Sequence, residues 1–379
     1  MDFRLTEEQL EMQEMFRDFA QKVVAPKAIE VDETHEFPVE TVDQMKELGF
    51  MGIPFSEEYG GSDLGILTYI LAVEELSRAC ATTGVILSAH TSLGAGAIDA
   101  YGTDEQKEKY LTPLASGEKL GAFALTEPDA GTDAAGQKTV AVLDGDHYVL
   151  NGSKIFITNA GYADTYVVFA MTDKSQGTKG ISAFIVEKDY EGFSLGTKEK
   201  KMGIHGSSTY ELVFKDCKVP KENLLGQEGK GFGIAMKTLD GGRIGIAAQA
   251  LGIAQGALDK TVKYVKERKQ FGRSIAQFQN TQFRLADLEA RIQAARLLTY
   301  KAAWLKDQGE PFGVEAATAK LFASETASYV TNKCVQLHGG YGYSQEYEVE
   351  RMMRDAKITE IYEGTSEVMR MVISGALLR

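Results

Sequence analysis

From Thr6 the polar and apolar positions follow a helical period: Leu10, Met12, Phe16, Phe19, Val23 and Val24 recur at that spacing behind a threonine suited to cap. A second helix is expected over residues 39–48. The stretches 66–76 and 85–93 are strongly apolar and rich in small residues, the pattern of buried helix. After Gly121 the texture changes to short β-branched runs at 139–143, 148–150, 155–158, 165–172, 181–186 and 211–214. Asp144-Gly145-Asp146 and Asn151-Gly152 separate some of these runs and are hairpin signals, so a compact antiparallel β-domain is expected to about Pro220. From Gly231 the helical period returns, with one stripe through Ile244, Ala247, Ala248, Leu251, Ala254, Leu258, Val262 and Val265. A second stripe holds Leu285, Leu288, Ile292, Ala295 and Ala302, and a third long helix is expected over 314–337. Ala-rich helices of this length pack as an antiparallel bundle. The fold class is therefore mainly α with a central β-domain: residues 1–120 helical, 121–225 β, and 226–379 a helical bundle.

Charge narrows the range of partners. The net charge of −13 argues against nucleic acid or an anionic membrane as a general partner, so a polyanionic ligand must be held by a local basic site. Cys80, Cys217 and Cys334 lie far apart without paired spacing, which suggests neither a disulfide framework nor a zinc site and fits a reducing cytoplasm. Residues 1–8 show no apolar signal core, and no run approaches the roughly eighteen apolar residues of a membrane span. The five histidines are scattered without ligand spacing. Gly229-Lys230-Gly231-Phe232-Gly233-Ile234 lacks the third glycine of a dinucleotide fingerprint, and no P-loop or nucleophile elbow is present.

Five segments can carry chemistry. Ile358-Thr359-Glu360-Ile361-Tyr362-Glu363-Gly364-Thr365-Ser366-Glu367 sets Glu363 between Tyr362 and Gly364; in an apolar pocket such a carboxylate becomes a better proton acceptor, and elsewhere it would lie on a solvated turn. Gly364 would let the backbone approach a ligand. The loop Phe123-Ala124-Leu125-Thr126-Glu127-Pro128-Asp129-Ala130-Gly131-Thr132-Asp133 offers hydroxyls and backbone N–H groups, a suitable edge for a planar heteroaromatic cofactor and its phosphates, or simply a turn. Asp240-Gly241-Gly242-Arg243 is read as the opening of the first long bundle helix, where dipole, backbone amides and Arg243 could hold an anion; an Asp cap with a solvated Arg is the plainer alternative. Arg268-Lys269-Gln270-Phe271-Gly272 ends that helix with basic residues and a glycine cap. Gln336-Leu337-His338-Gly339-Gly340-Tyr341-Gly342 is a glycine-rich helix exit, which on its own could be a hinge.

In this order, on an α, β, α layout, these segments resemble the acyl-CoA dehydrogenase family over essentially the whole chain. Leu239-Asp240-Gly241-Gly242-Arg243-Ile244-Gly245 and Met353-Arg354-Asp355-Ala356-Lys357-Ile358-Thr359 look most like its bacterial short-chain, butyryl-CoA members. The resemblance implies an N-terminal helical domain, an antiparallel β-barrel in the middle and a C-terminal four-helix bundle. It implies non-covalent FAD, lined by Phe123, Leu125, Thr126, Gly131, Thr132, Phe156, Ile157 and Thr158 and completed by Thr365 and Glu367. Arg268, Phe271, Gln279, Gln336, Leu337, Gly339 and Gly340 would reach the FAD of a neighbouring subunit, so a homotetramer, a dimer of dimers, is expected. Thr132, Asp240, Arg243, Tyr362 and Gly364 would contact the acyl-CoA, with Asp240 and Arg243 on the CoA nucleotide portion.

The implied chemistry is removal of the thioester α-proton by Glu363 with transfer of the β-hydride to the flavin, giving a trans-2-enoyl-CoA, or the reverse reduction. Preorganised hydrogen bonds to the thioester oxygen stabilise the developing enolate, one of them from the backbone N–H of the catalytic glutamate. Some relatives carry the base at the position of Gly242; a glycine cannot serve, which leaves Glu363. Electrons would pass to an electron-transferring flavoprotein heterodimer. The same fold admits a branched, longer or arylacrylyl-CoA substrate, an oxidase that passes electrons to oxygen, and a catalytically silent acyl-CoA-binding scaffold.

Overall fold

The computed structural model describes residues 4–378; Met1, Asp2 and Phe3, read above for leader character, and Arg379 lie outside them. Helix α1 (Glu7–Phe19) begins at Thr6, whose Oγ1 accepts the Gln9 amide while the Gln9 side chain accepts the Thr6 N–H, a reciprocal capping box. Helices α2 (Ala28–Thr34) and α3 (Val39–Glu47) follow. The apolar runs become α4 (Gly65–Ala79) and α5 (Ala81–Ser88), buried on nearly every side. Beyond Ser88 the helix widens into a π-helical stretch, Ala89–Ala95, before α6 (Gly96–Tyr101). Short helices α7 (Asp104–Gln106) and α8 (Thr112–Ala115) lead into the sheet.

That sheet comprises β1 (Gly121–Ala124), β2 (Val140–Asp144), β3 (His147–Thr158), β4 (Thr165–Met171), β5 (Ile181–Glu187), β6 (Phe193–Lys198), β7 (Thr209–Pro220) and β8 (Leu224–Leu225). Its order is β6-β7-β3-β2-β4-β5-β8, with β1 added on β4. Most neighbours are antiparallel, as expected, but β1 runs parallel to β4 from Gly121↔Thr165 to Ala124↔Val168, and β2 meets β4 in parallel at Val140↔Met171. The chain reaches β1 from the helical layer without a hairpin, so nothing forces a reversal there.

Gly145 turns the chain between β2 and β3 with φ +63°. Asn151-Gly152, the other hairpin signal, does not turn it: β3 runs straight through, with a bulge against β7. Asn151 Oδ1 accepts the Asp216 amide at 2.9 Å and its Nδ2 donates to Asp216 Oδ1 at 3.1 Å. A Cβ at Gly152 would sit 2.7 Å from the Thr139 Cα. Cross-strand bonds hold the dipeptide extended, and the glycine serves close approach instead of reversal.

The chain then forms α9 (Gly231–Glu267), α10 (Gln279–Asp307), α11 (Gly313–His338), α12 (Val349–Ile358) and α13 (Ser366–Leu377). Helix α11 packs along α9 and touches α10, α12 and α13, while α4 lies against α9 and α10, so the two helical layers share one core. Because α9 starts at Gly231, Asp240–Arg243 lie inside it. Their amides donate to preceding carbonyls, so the expected helix-start anion site does not exist, and Asp240 is not a cap. The glycines of α9 permit contact: a Cβ at Gly252 or Gly256 would strike the carbonyl of Glu74 or Arg78 at the face of α4.

The basic end of α9 is not closed by a glycine cap. Lys269–Gln270 (β9) and Arg273–Ser274 (β10) form a hairpin whose tip residues, Phe271 and Gly272, have φ +54° and +78°. Two positive φ values in a two-residue loop fit the right-handed twist of the flanking strands. No described helix is long and apolar enough to cross a membrane.

Candidate active site

The segment between α12 and α13 carries the carboxylate. Glu363 has φ +52° and Gly364 φ +99°, two left-handed residues in succession, and for a glutamate that conformation is uncommon. Several bonds hold it. The Ser366 amide donates to the Glu360 carbonyl at 2.9 Å, and Thr365 caps α13 by accepting the Val368 amide. From α9, Arg243 Nε donates to the Glu363 carbonyl at 3.4 Å; from α11, Lys320 Nζ donates to the Gly364 carbonyl at 2.6 Å.

This geometry sends the glutamate side chain inward. Glu363 Oε2 is buried and has no hydrogen-bond partner. It rests on Gly242, where any Cβ would collide with it and lie 2.7 Å from Leu93 Cδ2. Burial pushes the carboxyl pKa up to about 8, against the opposing pull of the nearby Lys320 and Arg243 charges. The Glu363 amide N–H donates to no backbone or side-chain acceptor among the described residues.

Neighbouring side chains divide between site and scaffold. Tyr362 turns into the core, where its hydroxyl donates to Gln249 Oε1, and Gln249 Nε2 donates in turn to the Ala81 carbonyl at 3.1 Å. Arg243 is only 5% exposed and pairs with Asp240 at 2.5 Å, so its guanidinium is committed to α9 and the Glu363 turn, while Asp240 stays partly exposed. Burial and the Glu363 charge both raise the pKa of Tyr69, on α4, which places that hydroxyl beside the same pocket.

A second cluster lies on the sheet. The Thr126 carbonyl accepts the Ile155 amide at 2.9 Å. Below it the fully buried Lys154 donates to the Leu125 carbonyl at 3.0 Å, Glu127 Oε1 at 2.7 Å and Gln137 Oε1 at 3.1 Å. Glu127 also accepts the Lys138 and Thr139 amides. The loop after β1 is therefore pinned to β3 from underneath. Above it the β3–β7 ladder is irregular between Lys154 and Ile157, and Phe156, with φ +59°, projects outward while Ile157 is buried. The hydroxyls of Thr126, Thr132 and Thr158 make no hydrogen bond within the described chain, and a Cβ at Gly131 would meet nothing within 4 Å. Open backbone, unpartnered hydroxyls and an exposed aromatic fit a planar heteroaromatic cofactor with phosphates, and so fit FAD.

The π-helical stretch joins the two clusters. Leu93 lies against Gly242 at the glutamate, and the next residue, Gly94, packs on β1, where a Cβ would sit 2.9 Å from the Gly121 carbonyl carbon. Such π-helical bulges are frequent at functional sites. Phe123 and Leu125 thus begin one element away from the base.

The remaining candidates occupy the end of the bundle. Arg268 lies over the Tyr341 ring at 5.3 Å, and the Tyr264 hydroxyl donates to the His338 carbonyl at 3.1 Å, tying α9 to the exit of α11. Arg268, Phe271, Gln279, Gln336, Gly339 and Gly340 are exposed there, with Leu337 partly so, and Phe271 is 94% exposed. Glu367 is exposed in the first turn of α13. Lys320, Lys154 and the Leu93-Gly94 pair were not singled out from sequence. Lys320 had a readable signal, a charge at a core position among Ala316, Ala319 and Ala323.

A buried carboxylate linked through one helical turn to a heteroaromatic-cofactor edge, on a helix–sheet–bundle frame, is the arrangement of a flavin-dependent dehydrogenase. Family models described as the acyl-CoA dehydrogenase N-terminal, middle and C-terminal domains match residues 6–118, 122–217 and 229–378. The chain is 64% identical over 379 residues to the short-chain specific acyl-CoA dehydrogenase of Clostridium acetobutylicum, covering all of both chains. It superposes with TM-score 0.99 and 57% identity on butyryl-CoA dehydrogenase from Megasphaera elsdenii, again over all of both chains. A chain from a structural study of the electron-transferring flavoprotein of Acidaminococcus fermentans and flavin-based electron bifurcation matches at TM-score 0.99 and 61% identity over both full lengths. The FAD complex of an acyl-CoA dehydrogenase from Bacillus anthracis matches at TM-score 0.93 and 40% identity, over 99% of this chain and 67% of that one. This chain belongs to the acyl-CoA dehydrogenase family, FAD flavoproteins that oxidise a CH–CH bond.

Proposed function

We propose that this protein interconverts a short-chain acyl-CoA, butyryl-CoA, and its trans-2-enoyl product, with Glu363 moving the α-proton. The observation that carries the assignment is the Glu363 carboxylate itself: buried, unpartnered at Oε2 and raised in pKa by that burial. A base poised near the working pH is the most effective proton acceptor. Glu363 takes the α-proton at its carboxylate, and its own unpaired amide N–H is a suitable donor to the thioester oxygen, where negative charge develops. Thr126, Thr132, Thr158 and Phe156 hold and orient the cofactor. FAD, when bound, supplies the two-electron acceptor for the β-hydride. Leu93, packed at Gly242 beside the carboxylate, helps exclude water from the proton-transfer site.

Since β-carbon chemistry is reversible, the same residues serve oxidation of butyryl-CoA and reduction of crotonyl-CoA. Electrons are exchanged with an electron-transferring flavoprotein, in keeping with the Acidaminococcus relative. The exposed Phe271 hairpin and the glycine-rich exit of α11 would reach a neighbouring subunit's FAD in a homotetramer, and the protein would work in the cytoplasm. Division of labour follows the segments 1–120, 121–225 and 226–379, with flavin on the sheet and CoA, base and assembly on the bundle.

Air-free mixing of the flavin-loaded protein with excess butyryl-CoA tests the proposal. The visible flavin band bleaches in the parent, and Glu363→Gln slows bleaching by at least about 10²–10⁴-fold, the worth of a positioned general base. Bleaching that persists in Glu363→Gln removes Glu363 from the role; an unbleached parent flavin removes the short-chain substrate.

A further inference from the structure

Lys320 sits where the bundle has no use for a charge. It is 0% exposed, on the face of α11 that also buries Ala316, Ala317, Ala319 and Ala323. Among the described residues it forms no ion pair within 4.0 Å, and its hydrogen bond goes to a main-chain carbonyl, that of Gly364 at 2.6 Å. Taking an ammonium group out of water without a carboxylate partner is unfavourable, and an alanine or methionine would suit the packing better. The reason for a lysine must therefore lie in what it grips.

What it grips is the one stretch of the site whose backbone is left-handed twice in succession. The Glu363 carbonyl is held by Arg243 Nε from α9, and the Gly364 carbonyl by Lys320 Nζ from α11. Fixing two consecutive carbonyls fixes both peptide planes, and with them the direction of the Glu363 Cα–Cβ bond. In that direction the carboxylate lies on Gly242, beside Leu93. We propose that Lys320 is a positioning residue for the dehydrogenation: by holding the Gly364 carbonyl from α11 it aims Glu363 at the substrate α-carbon. The inference rests on Glu363 being the base.

Lys320 also contributes its charge. The charges that act on it are Glu363 on the turn itself, Arg243 on α9, and Glu360 and Glu367 on either side of that turn; Tyr69 on α4 and Tyr362 face the Glu363 carboxylate in their turn. Its positive charge opposes the effect of burial on Glu363, so its loss moves the protonation of the base to higher pH.

The test compares flavin-loaded parent, Lys320→Met, Lys320→Arg and Glu363→Gln by anaerobic flavin reduction with butyryl-CoA, across pH. In Lys320→Met the flavin is retained and the butyryl-CoA concentration at half-saturation is little changed. The limiting rate falls by about 10²-fold, the effect expected of a misaimed catalytic group. The pH at which that rate rises moves upward, and Lys320→Arg, which keeps donors and charge, recovers part of the rate. A parent-like limiting rate in Lys320→Met, or a loss seen only in half-saturation, overturns the proposal. Should Lys320→Met not fold with flavin bound, Lys320→Gln is measured in its place against the same expectations; if neither folds, the lysine serves the fold and the proposal falls. Glu363→Gln separates the two readings. If it reduces flavin at the parent rate the base assignment has failed, whereas an inert Glu363→Gln beside a parent-like Lys320→Met sinks the positioning role alone.

Discussion

A methyl group at position 242 would occupy the volume that Glu363 Oε2 fills. Gly242→Ala should therefore turn the carboxylate away while leaving every charge in place. The expected result is a limiting rate of flavin reduction lower by about 10²-fold with flavin still bound, checked by the same stopped-flow bleaching and by the bound flavin spectrum. At this scale the sequence was informative about identity and poor about setting. Glu363 beside Gly364 stood out because a carboxylate next to a glycine in an otherwise uncharged tetrapeptide is a readable signal. Gly242 could be read only as a position that cannot supply a base; its role as the surface the base rests on needs the crossing of α9 by the 359–365 turn, which no local pattern encodes. Arg243 shows the converse. Its position read either as an anion contact at a helix start or as a solvated Arg beside an Asp cap, yet tertiary packing turns its Nε inward to the Glu363 carbonyl.

Among the elements, the loop after β1 depends on one buried ion pair. Lys154 and Glu127 are 2.7 Å apart with side chains 0% and 5% exposed. Lys154→Met leaves Glu127 buried without its cation, and breaking such a pair costs about 3–5 kcal/mol. Thermal unfolding should show that loss together with a lower FAD content, because the Leu125 carbonyl loses its anchor. Adding Glu127→Gln to Lys154→Met should restore much of the stability and less of the FAD content; if the single and double variants melt alike, the pair is not what stabilises the loop. Helices and most strands were legible because their periods are long and regular. Asn151-Gly152 and Asp240-Gly241-Gly242-Arg243 misled for one shared reason: short glycine signals describe what a free chain prefers, whereas here bonds to Asp216 and packing against α4 and the Glu363 turn decide.

For the molecule as a whole, the Phe271 ring at the hairpin tip stands 94% exposed, and its ring neighbour among the described residues is Phe278, 6.3 Å away. Asparagine tolerates the left-handed conformation that Phe271 adopts. Phe271→Asn should thus keep the turn, leave the isolated protomer folded, and weaken the proposed tetramer and its hold on FAD; sedimentation and flavin release on dilution measure both. An unchanged tetramer with tightly held flavin would place the interface elsewhere. The proposed assembly rests on the resemblance, and the exposed aromatic is evident only once the hairpin that lifts it is seen.

Stability and activity should respond to pH in opposite senses through Glu363. Its folded pKa, about 8, lies above the ordinary 4.5, so its contribution to stability is fully present below the lower value and is lost as pH rises toward the upper one. Lys320, lowered to about 8 from 10.5, acts only above pH 8, where its contribution rises with pH. The difference in melting temperature between Glu363→Gln and the parent should therefore widen in favour of the variant from about pH 5 to 8. A gap that stays constant would show that burial does not perturb the carboxyl.

That buried carboxyl also gives the protein two working forms. Because burial raises its pKa, protonation of the base is drawn up toward the neutral range. The ionised form is the one that can take a proton from butyryl-CoA, and the protonated form is the one ready to deliver a proton to crotonyl-CoA. The pH of its surroundings thus selects which direction of the reaction finds more molecules prepared for it.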